Sequence, residues 1–291
     1  MEKIKPIFNI SNDSLKEYSK ELYNKILNSP YFSKLKEEGW TNQEIADNTS
    51  KFSDYIDDLE KASKIKTYED CLKYGMSQRL ILVREGKIIS RNYEVLEPYK
   101  KHLAFIEHYE VRDFPTDLLN AKFTEVKPKV RKEINEAIKS KKWVYLTGAL
   151  RSGRSYTAIA MANSFANKNV GRIAFLNCVT RFKELSDFFF KSKSDFNELM
   201  AMYQNIDLLI LDDFGSEYKN EITRDNILIP PLKERASRKL LTVFTSDFSL
   251  NDVLTLYTLN SKTGEILINN LKKILDQMID KEIEVSNLTL Y

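Results

Sequence analysis

The stretch "YLTGALRSGRSYTAIAMAN", Tyr145 to Asn163, decides how the rest of the chain is read. A short apolar run ends at Gly148, Gly153 follows after four residues, and Arg154 and Ser155 come next. The spacing is that of G-x-x-x-x-G-K-[ST], with arginine in the lysine slot. Glycines at both ends permit turns that a Cβ resists. Successive N–H groups can then converge on a phosphate, and a helix N-terminus adds positive potential. The reading is a cradle for ATP or ADP made by Gly148, Ala149, Leu150, Arg151, Ser152, Gly153, Arg154, Ser155 and Tyr156. The Ser155 hydroxyl is placed to meet Mg²⁺, and Tyr156 has no assigned part. An ordinary strand–turn–helix without ligand fits the same letters.

Outward from this loop, apolar runs alternate with helical patterns. "WVYLTG", "RIAFLN", "DLLILDD" and "LLTVFTSD" read as strands, and helices read at 131–141, at "YTAIAMANSFANK", at "RFKELSDFFF" and from Arg224 to Arg238. Alternation of this kind predicts an α/β domain, a parallel sheet with helices on both faces. The strand "DLLILDD" ends in Asp212 and Asp213. In phosphate-loop enzymes a carboxylate at such a strand end holds the Mg²⁺ shell, and a neighbouring acid orients or deprotonates the attacking water. Asp212 is the candidate metal ligand beside Ser155. The two motifs are expected at neighbouring positions on the C-terminal rim of the sheet, where open α/β sheets bind ligands. "LLTVFTSD" brings Thr245, Ser246 and Asp247 to a place suited to sensing a terminal phosphate. Arg224 follows the carboxylate strand and could serve as an arginine finger toward a second subunit; a surface arginine paired with Asp225 or Glu221 is the plainer reading.

The chain has 291 residues, 42% hydrophobic and 30% charged, with a net charge of +3. Residues 1–126 hold 20 Lys and Arg against 22 Asp and Glu, and the remainder holds 25 against 20. The second half therefore leans mildly toward polyanions. Two distant cysteines, Cys71 and Cys178, form no disulfide framework, as in a reducing, cytoplasmic setting. The start, "MEKIKPIFNISND", lacks the apolar core of a leader peptide. No apolar run approaches the ~20 residues of a membrane span.

The first half is mainly helical by spacing: Tyr18, Leu22 and Ile26 in 11–29, then Ile45, Phe52, Tyr55 and Leu59 in 41–64. Thr41 and Glu44 have the spacing of a capping box. "RLILVREGKIISRNYEVL" predicts a β-hairpin about "REGK". The junction is expected in the proline-bearing "EVRDFPTDLLNAKFTEVKPKV", giving domains 1–112 and 113–291 with 113–130 as linker. Exposed stripes such as Tyr18, Leu22, Tyr31 and Phe32 could dock a partner or form the domain's own core.

These stretches, with "LLILDDFGSE", "TRDNILIPPLKERASRK" and "TVFTSDFS", resemble the AAA+ ATPase domain of bacterial helicase loaders of the DnaI/DnaC type, from about Asp113 to Ser249. The resemblance implies a C-terminal domain that binds ATP and single-stranded DNA. It also implies an N-terminal domain that grips the hexameric replicative helicase and delivers it to DNA at replication initiation. Gly148, Gly153 and Ser155 match the Walker A positions and Asp212 and Asp213 match Walker B. Ser246 and Asp247 fall at sensor 1, where the family usually has Ser-Asn, and Arg224 matches the finger. Asn270 occupies the presumed sensor-2 slot, with Lys272 nearby. Some relatives carry a Cys/His zinc site; Cys71, His102 and His108 cannot complete one, so no zinc is expected.

Arginine keeps the charge and donors for phosphate, yet its planar fork differs in shape from an ammonium. Nucleotide binding with slow hydrolysis is therefore expected. A non-hydrolysing adaptor and a transposition-helper ATPase are the competing readings. For single-stranded DNA, "TRFKELSDFFFKSKSD" joins Arg181, Lys183, Lys191 and Lys193 to Phe182, basic residues with an aromatic platform. Most of its other phenylalanines suit the core.

Overall fold

The computed structural model describes residues 12–258 and 262–286. Residues 1–11, most of the stretch read for a leader, lie outside them. The chain divides into two units, Met1–Ala104 and Phe105–Tyr291.

In the first unit, helices α1 (Asn12–Leu27), α2 (Phe32–Glu37), α3 (Asn42–Asp47), α4 (Thr49–Ser63) and α5 (Tyr68–Tyr74) precede strands β1 (Gln78–Glu85) and β2 (Ile88–Val95) and helix α6 (Glu97–Ile106). The hairpin is antiparallel, with Glu85 opposite Ile88 across the Gly86–Lys87 turn. Thr41 and Glu44 form the expected capping box. The helix expected over 41–64 is two helices. They part at Asn48, whose side-chain amide takes the Glu44 carbonyl and competes with the main-chain ladder. Ile26, Leu35, Trp40, Ile45, Phe52, Ile56 and Leu59 pack with Leu80 and Ile89 of the hairpin. Tyr31 and Phe32 pack against that core, whereas Tyr18 is exposed.

The second unit opens with β3 (Tyr109–Arg112), which pairs with β5 (Ile173–Asn177). Residues 109–112, placed by the sequence reading before the junction, are thus an edge strand of the main sheet. The linker is not free chain either. Its 3-10 turns Thr116–Asn120 and Phe123–Glu125 lead to α7 (Pro128–Lys139). Buried Asn163 of α8 (Arg154–Asn167) donates to the carbonyls of Leu118, Leu119 and Ala121 and accepts from Tyr109. Then follow β4 (Val144–Thr147) before α8, and after β5 the helices α9 (Cys178–Lys191) and α10 (Lys193–Asn205), β6 (Leu208–Asp212), α11 (Ile229–Arg238), β7 (Leu241–Ser246), α12 (Leu250–Leu256), α13 (Lys262–Met278) and β8 (Glu282–Glu284).

The sheet order is β3-β5-β6-β7-β4-β8, and every adjacent pair is parallel. Alternate side chains face opposite ways. Tyr145, Leu176, Leu209, Leu211 and Phe244 look toward α9–α13, while Val144, Leu146, Phe175, Ile210 and Val243 look toward α7 and α8. The α/β class with helices on both faces is as expected. One expectation changes: β4 and β6 are not neighbours, because β7 runs between them. Ahead of α11, Thr223–Leu228 forms a π-helical turn. Pro230 and Pro231 follow; proline supplies no N–H and crowds the preceding turn, which favours the wider spacing there.

Candidate functional site

The loop after β4 takes the backbone that its glycines permit. Gly148 has φ +153° and Gly153 +95°, and Arg151 adopts +64°. A Cβ on Gly148 would stand 2.3 Å from the Val285 carbonyl oxygen and 2.8 Å from Ser152 Oγ. Only glycine passes there, between the loop and the chain leaving β8. Gly153 is the N-cap of α8 and offers no side chain to its first amides, so those donors face the loop uncapped. Ser152 Oγ is buried without a hydrogen-bond partner. Such an orphan is rare in a finished interior and suits a loop shaped for an anion. Ala149, Leu150 and Arg151 are exposed, and the Tyr156 hydroxyl is engaged with Glu125.

Arg154 is only 5% exposed. Its guanidinium donates to the Gly148 carbonyl at 2.6 Å and ion-pairs with Asp247. The residue in the lysine slot is therefore bound to its own chain.

Strand β7 connects the two halves of the site. Thr245 Oγ donates to Asp212 Oδ1 at 2.6 Å and accepts from the Asp213 amide at 3.1 Å. Asp212 is buried, and burial is the main cause raising its pKa above the ordinary aspartate value. Hydrogen bonding from Thr245 opposes the rise, the Asp213 charge adds to it, and Ser155 and Arg154 pull it down again. Asp213 has φ +56°, a left-handed conformation that costs a non-glycine residue energy and gathers at functional sites. Its carboxylate accepts from Asn177 Nδ2 at 3.1 Å. The structure therefore collects Arg154, Ser155, Asp212, Asp213 and Asp247 on the C-terminal rim of β4, β7 and β6. Ser246 lies on that rim but faces inward. Its hydroxyl donates to the Phe214 carbonyl at 2.6 Å and accepts from the Phe248 amide at 3.1 Å.

Two residues escaped the sequence reading. Asn177, at the end of β5, both caps α9 through Thr180 N and orients Asp213. Its signal was positional, a polar residue ending a buried strand. Glu217 is buried, accepts from Gly215 N at 2.8 Å and is engaged by the Tyr257 hydroxyl. Burial first, then Glu217 and both aspartates, push the Cys178 thiol pKa well up.

Three expected placements need correction. Arg224 is neither a surface residue nor an outward finger. It is 1% exposed, with its guanidinium on Asp225 at 2.6 and 2.8 Å and on the Tyr257 carbonyl at 3.3 Å. It lies in the π-helical turn with its side chain buried, so this fold does not present it to a second subunit. Phe182 is no open platform: it is 4% exposed, inside the core of the α9–α13 face. Arg181 is held by Asp113 and Glu184. Lys183, Lys191 and Lys193 are exposed as expected, and the exposed aromatic beside them is Phe190, at 72%. Asn270 and Lys272, on α13, are exposed.

The parallel sheet, its strand order and the loop between β4 and α8 make an α/β fold similar to that of AAA+ domains. No family model matches the chain. The sequence is 26% identical over 254 residues to the replicative helicase loader DnaI of Bacillus subtilis, spanning 80% of this chain and 79% of that protein. A crystal structure of DnaI superposes with a TM-score of 0.50 and 22% identity, over 63% of this chain and 97% of that one. A putative primosome component from Streptococcus pyogenes serotype M3 aligns with a TM-score of 0.48 and 21% identity, over 64% of this chain and 97% of that one. The resemblance to DnaI/DnaC-type loaders read from the motifs is thus matched along most of the sequence.

Proposed function

We propose that the chain is a nucleotide-binding loader that brings a hexameric replicative helicase onto single-stranded DNA. The observation that carries this reading is the similarity to DnaI over 80% of this chain and 79% of that protein, a span too long for the P-loop unit alone. The first unit, Met1–Ala104, is then the helicase-gripping part, and the second, Phe105–Tyr291, which takes in the strand at 109–112, is the nucleotide unit. Among the described residues no helix is long and apolar enough to cross a membrane.

The rim residues fit a nucleotide's polyphosphate in kind. The uncapped amides of α8 and the unpartnered Ser152 hydroxyl are donors for phosphate oxygens. Ser155 and Asp212 offer the oxygen ligands that Mg²⁺ takes together with phosphates. The metal, when bound, neutralises charge on the transferred group. Asp213, held by Asn177 and the Thr245 hydroxyl, is the acid placed to orient a water. Arg154 is committed to Gly148 and Asp247 instead of standing free in the loop, which favours slow turnover and keeps the adaptor reading in play. Lys183, Phe190, Lys191 and Lys193 form the proposed DNA surface.

The test is reconstitution with the host's replicative helicase: co-migration on a sizing column, then helicase loading onto a closed single-stranded circle with and without ATP. Complex formation and loading are expected. A full-length protein that neither binds the helicase nor changes its loading removes the proposal. Binding without any nucleotide effect leaves the adaptor.

A further inference from the structure

We propose that Asp247 is a built-in competitor of phosphate for Arg154, so that the site admits nucleoside di- and triphosphates only by displacing this carboxylate. The inference rests on the nucleotide reading above and adds a gate to that site.

The geometry comes first. Arg154 opens α8, immediately after the loop, and one of its N–H groups returns to Gly148, the residue that begins the loop. The same guanidinium reaches across to Asp247, which follows β7. A single side chain thereby clips the loop to itself and to the neighbouring strand. A planar fork can hold a carbonyl and a carboxylate at once in a way a lysine ammonium matches poorly.

Asp247 is placed for exchange. The two residues before it are tied into the frame: Thr245 to Asp212 and the Asp213 amide, Ser246 to the Phe214 carbonyl and the Phe248 amide. The Asp247 side chain is 40% exposed, while that of Arg154 is 6% exposed. Asp247 can therefore swing to water without moving the sheet, whereas Arg154 stays where it is. Carboxylate and phosphate oxygens compete for the same guanidinium donors. A monophosphate brings little more than the carboxylate it must replace. A polyphosphate also engages the loop amides, so its extra charge decides the exchange in its favour. After the exchange the freed Asp247 stays near the phosphates and weakens binding by repulsion.

The experiment measures ATP, ADP and AMP binding to full-length protein by calorimetry, with Mg²⁺, for wild type, Asp247→Asn, Arg154→Gln and the double variant. Urea denaturation of each protein without ligand confirms that it is folded. Asp247→Asn is expected to tighten ATP and ADP binding by about tenfold or more. In the Arg154→Gln background the same change is expected to gain about twofold or less, and the ligand-free stabilities are expected to be non-additive. An equal gain in both backgrounds would mean simple repulsion and overturns the competitor. Wild-type binding with no gain in Asp247→Asn also overturns it, while the nucleotide site stands. Folded variants that bind nothing at millimolar ATP remove both.

Discussion

Two buried arginines sit at opposite edges of the same parallel sheet and are satisfied in different ways. Arg235, at the N-terminal edge, is fully buried. It donates to the carbonyls of Tyr203, Ile206 and Leu241 and to Thr242 Oγ, and among the described residues no carboxylate pairs with it. Burial works against its charge and lowers its pKa, and the fork's donors offset that cost by filling four acceptors. Arg154, at the C-terminal edge, holds one carbonyl and one half-exposed carboxylate. All partners of Arg235 belong to the frame, whereas one partner of Arg154 can leave. A guanidinium closed in by main-chain oxygens is a structural clamp, and one shared with a movable acid is an exchangeable contact.

Replacing Arg235 is the sharpest way to break this comparison. Arg235→Leu fills part of the volume but leaves three carbonyls buried without donors. Each such group costs on the order of 1–3 kcal/mol, so a loss of about 4 kcal/mol or more is expected. Arg154→Gln, at the exchangeable end, is expected to cost about 1 kcal/mol in the ligand-free protein. Urea denaturation monitored by tryptophan fluorescence measures both. Equal losses would mean that the rim arginine is as structural as the clamp.

Helix α9 carries the same contrast on its two faces. Phe182 lies among Leu176, Leu185 and Leu211, and Phe182→Ala is expected to cost about 3–4 kcal/mol through the cavity it leaves. Phe190 is 72% exposed, and Phe190→Ala is expected to leave stability within about 0.5 kcal/mol. If the proposed DNA surface holds, Phe190→Ala weakens single-strand binding by roughly 1–3 kcal/mol, as loss of one stacking platform does. Lys191→Glu with Lys193→Glu also reduces the salt dependence of that binding. Fluorescence anisotropy with a labelled oligonucleotide reads both effects. An unchanged affinity in all of these variants removes α9 from the DNA surface.

The sheet was legible because buried strands such as "LLILDD" are continuous apolar runs that end in charge, and the loop was legible because Gly148 and Gly153 have a spacing that few other structures need. The order of strands was not: nothing local in the sequence says that β7 inserts between β4 and β6. That insertion is what lets Thr245 reach Asp212 and Asp247 reach Arg154. Arg224 was misplaced because a charged residue in "TRDN" reads as surface, whereas its guanidinium is buried against Asp225 and the Tyr257 carbonyl. Phe182 was misplaced because Arg181 and Lys183 on either side suggest a basic surface, whereas its i, i+3 and i+7 spacing with Leu185 and Phe189 puts it on the apolar face that packs into the core. The strand β3 escaped because four residues beside a proline-bearing segment look like linker.

The smallest expected effect concerns the acid at the centre of the rim. Burial raises the folded-state pKa of Asp212 above its unfolded value, so the fold holds that proton more tightly than the open chain does. The unfolded chain therefore binds fewer protons in the window between the two values, and stability falls as pH rises through it. Above the window, at neutral pH, the full cost of the buried charge is present. Asp212→Asn removes that charge while keeping an oxygen for the Thr245 hydroxyl, and it is expected to raise stability at pH 7. The gain should vanish below the unfolded value near pH 4, where wild type is itself neutral. Urea midpoints at both pH values test this. A loss of stability at pH 7 would mean that the Thr245 and Ser155 hydrogen bonds outweigh burial, making Asp212 part of the frame like Arg235. A gain confined to neutral pH would set it apart from both arginines, as a group held charged at a cost to the empty fold.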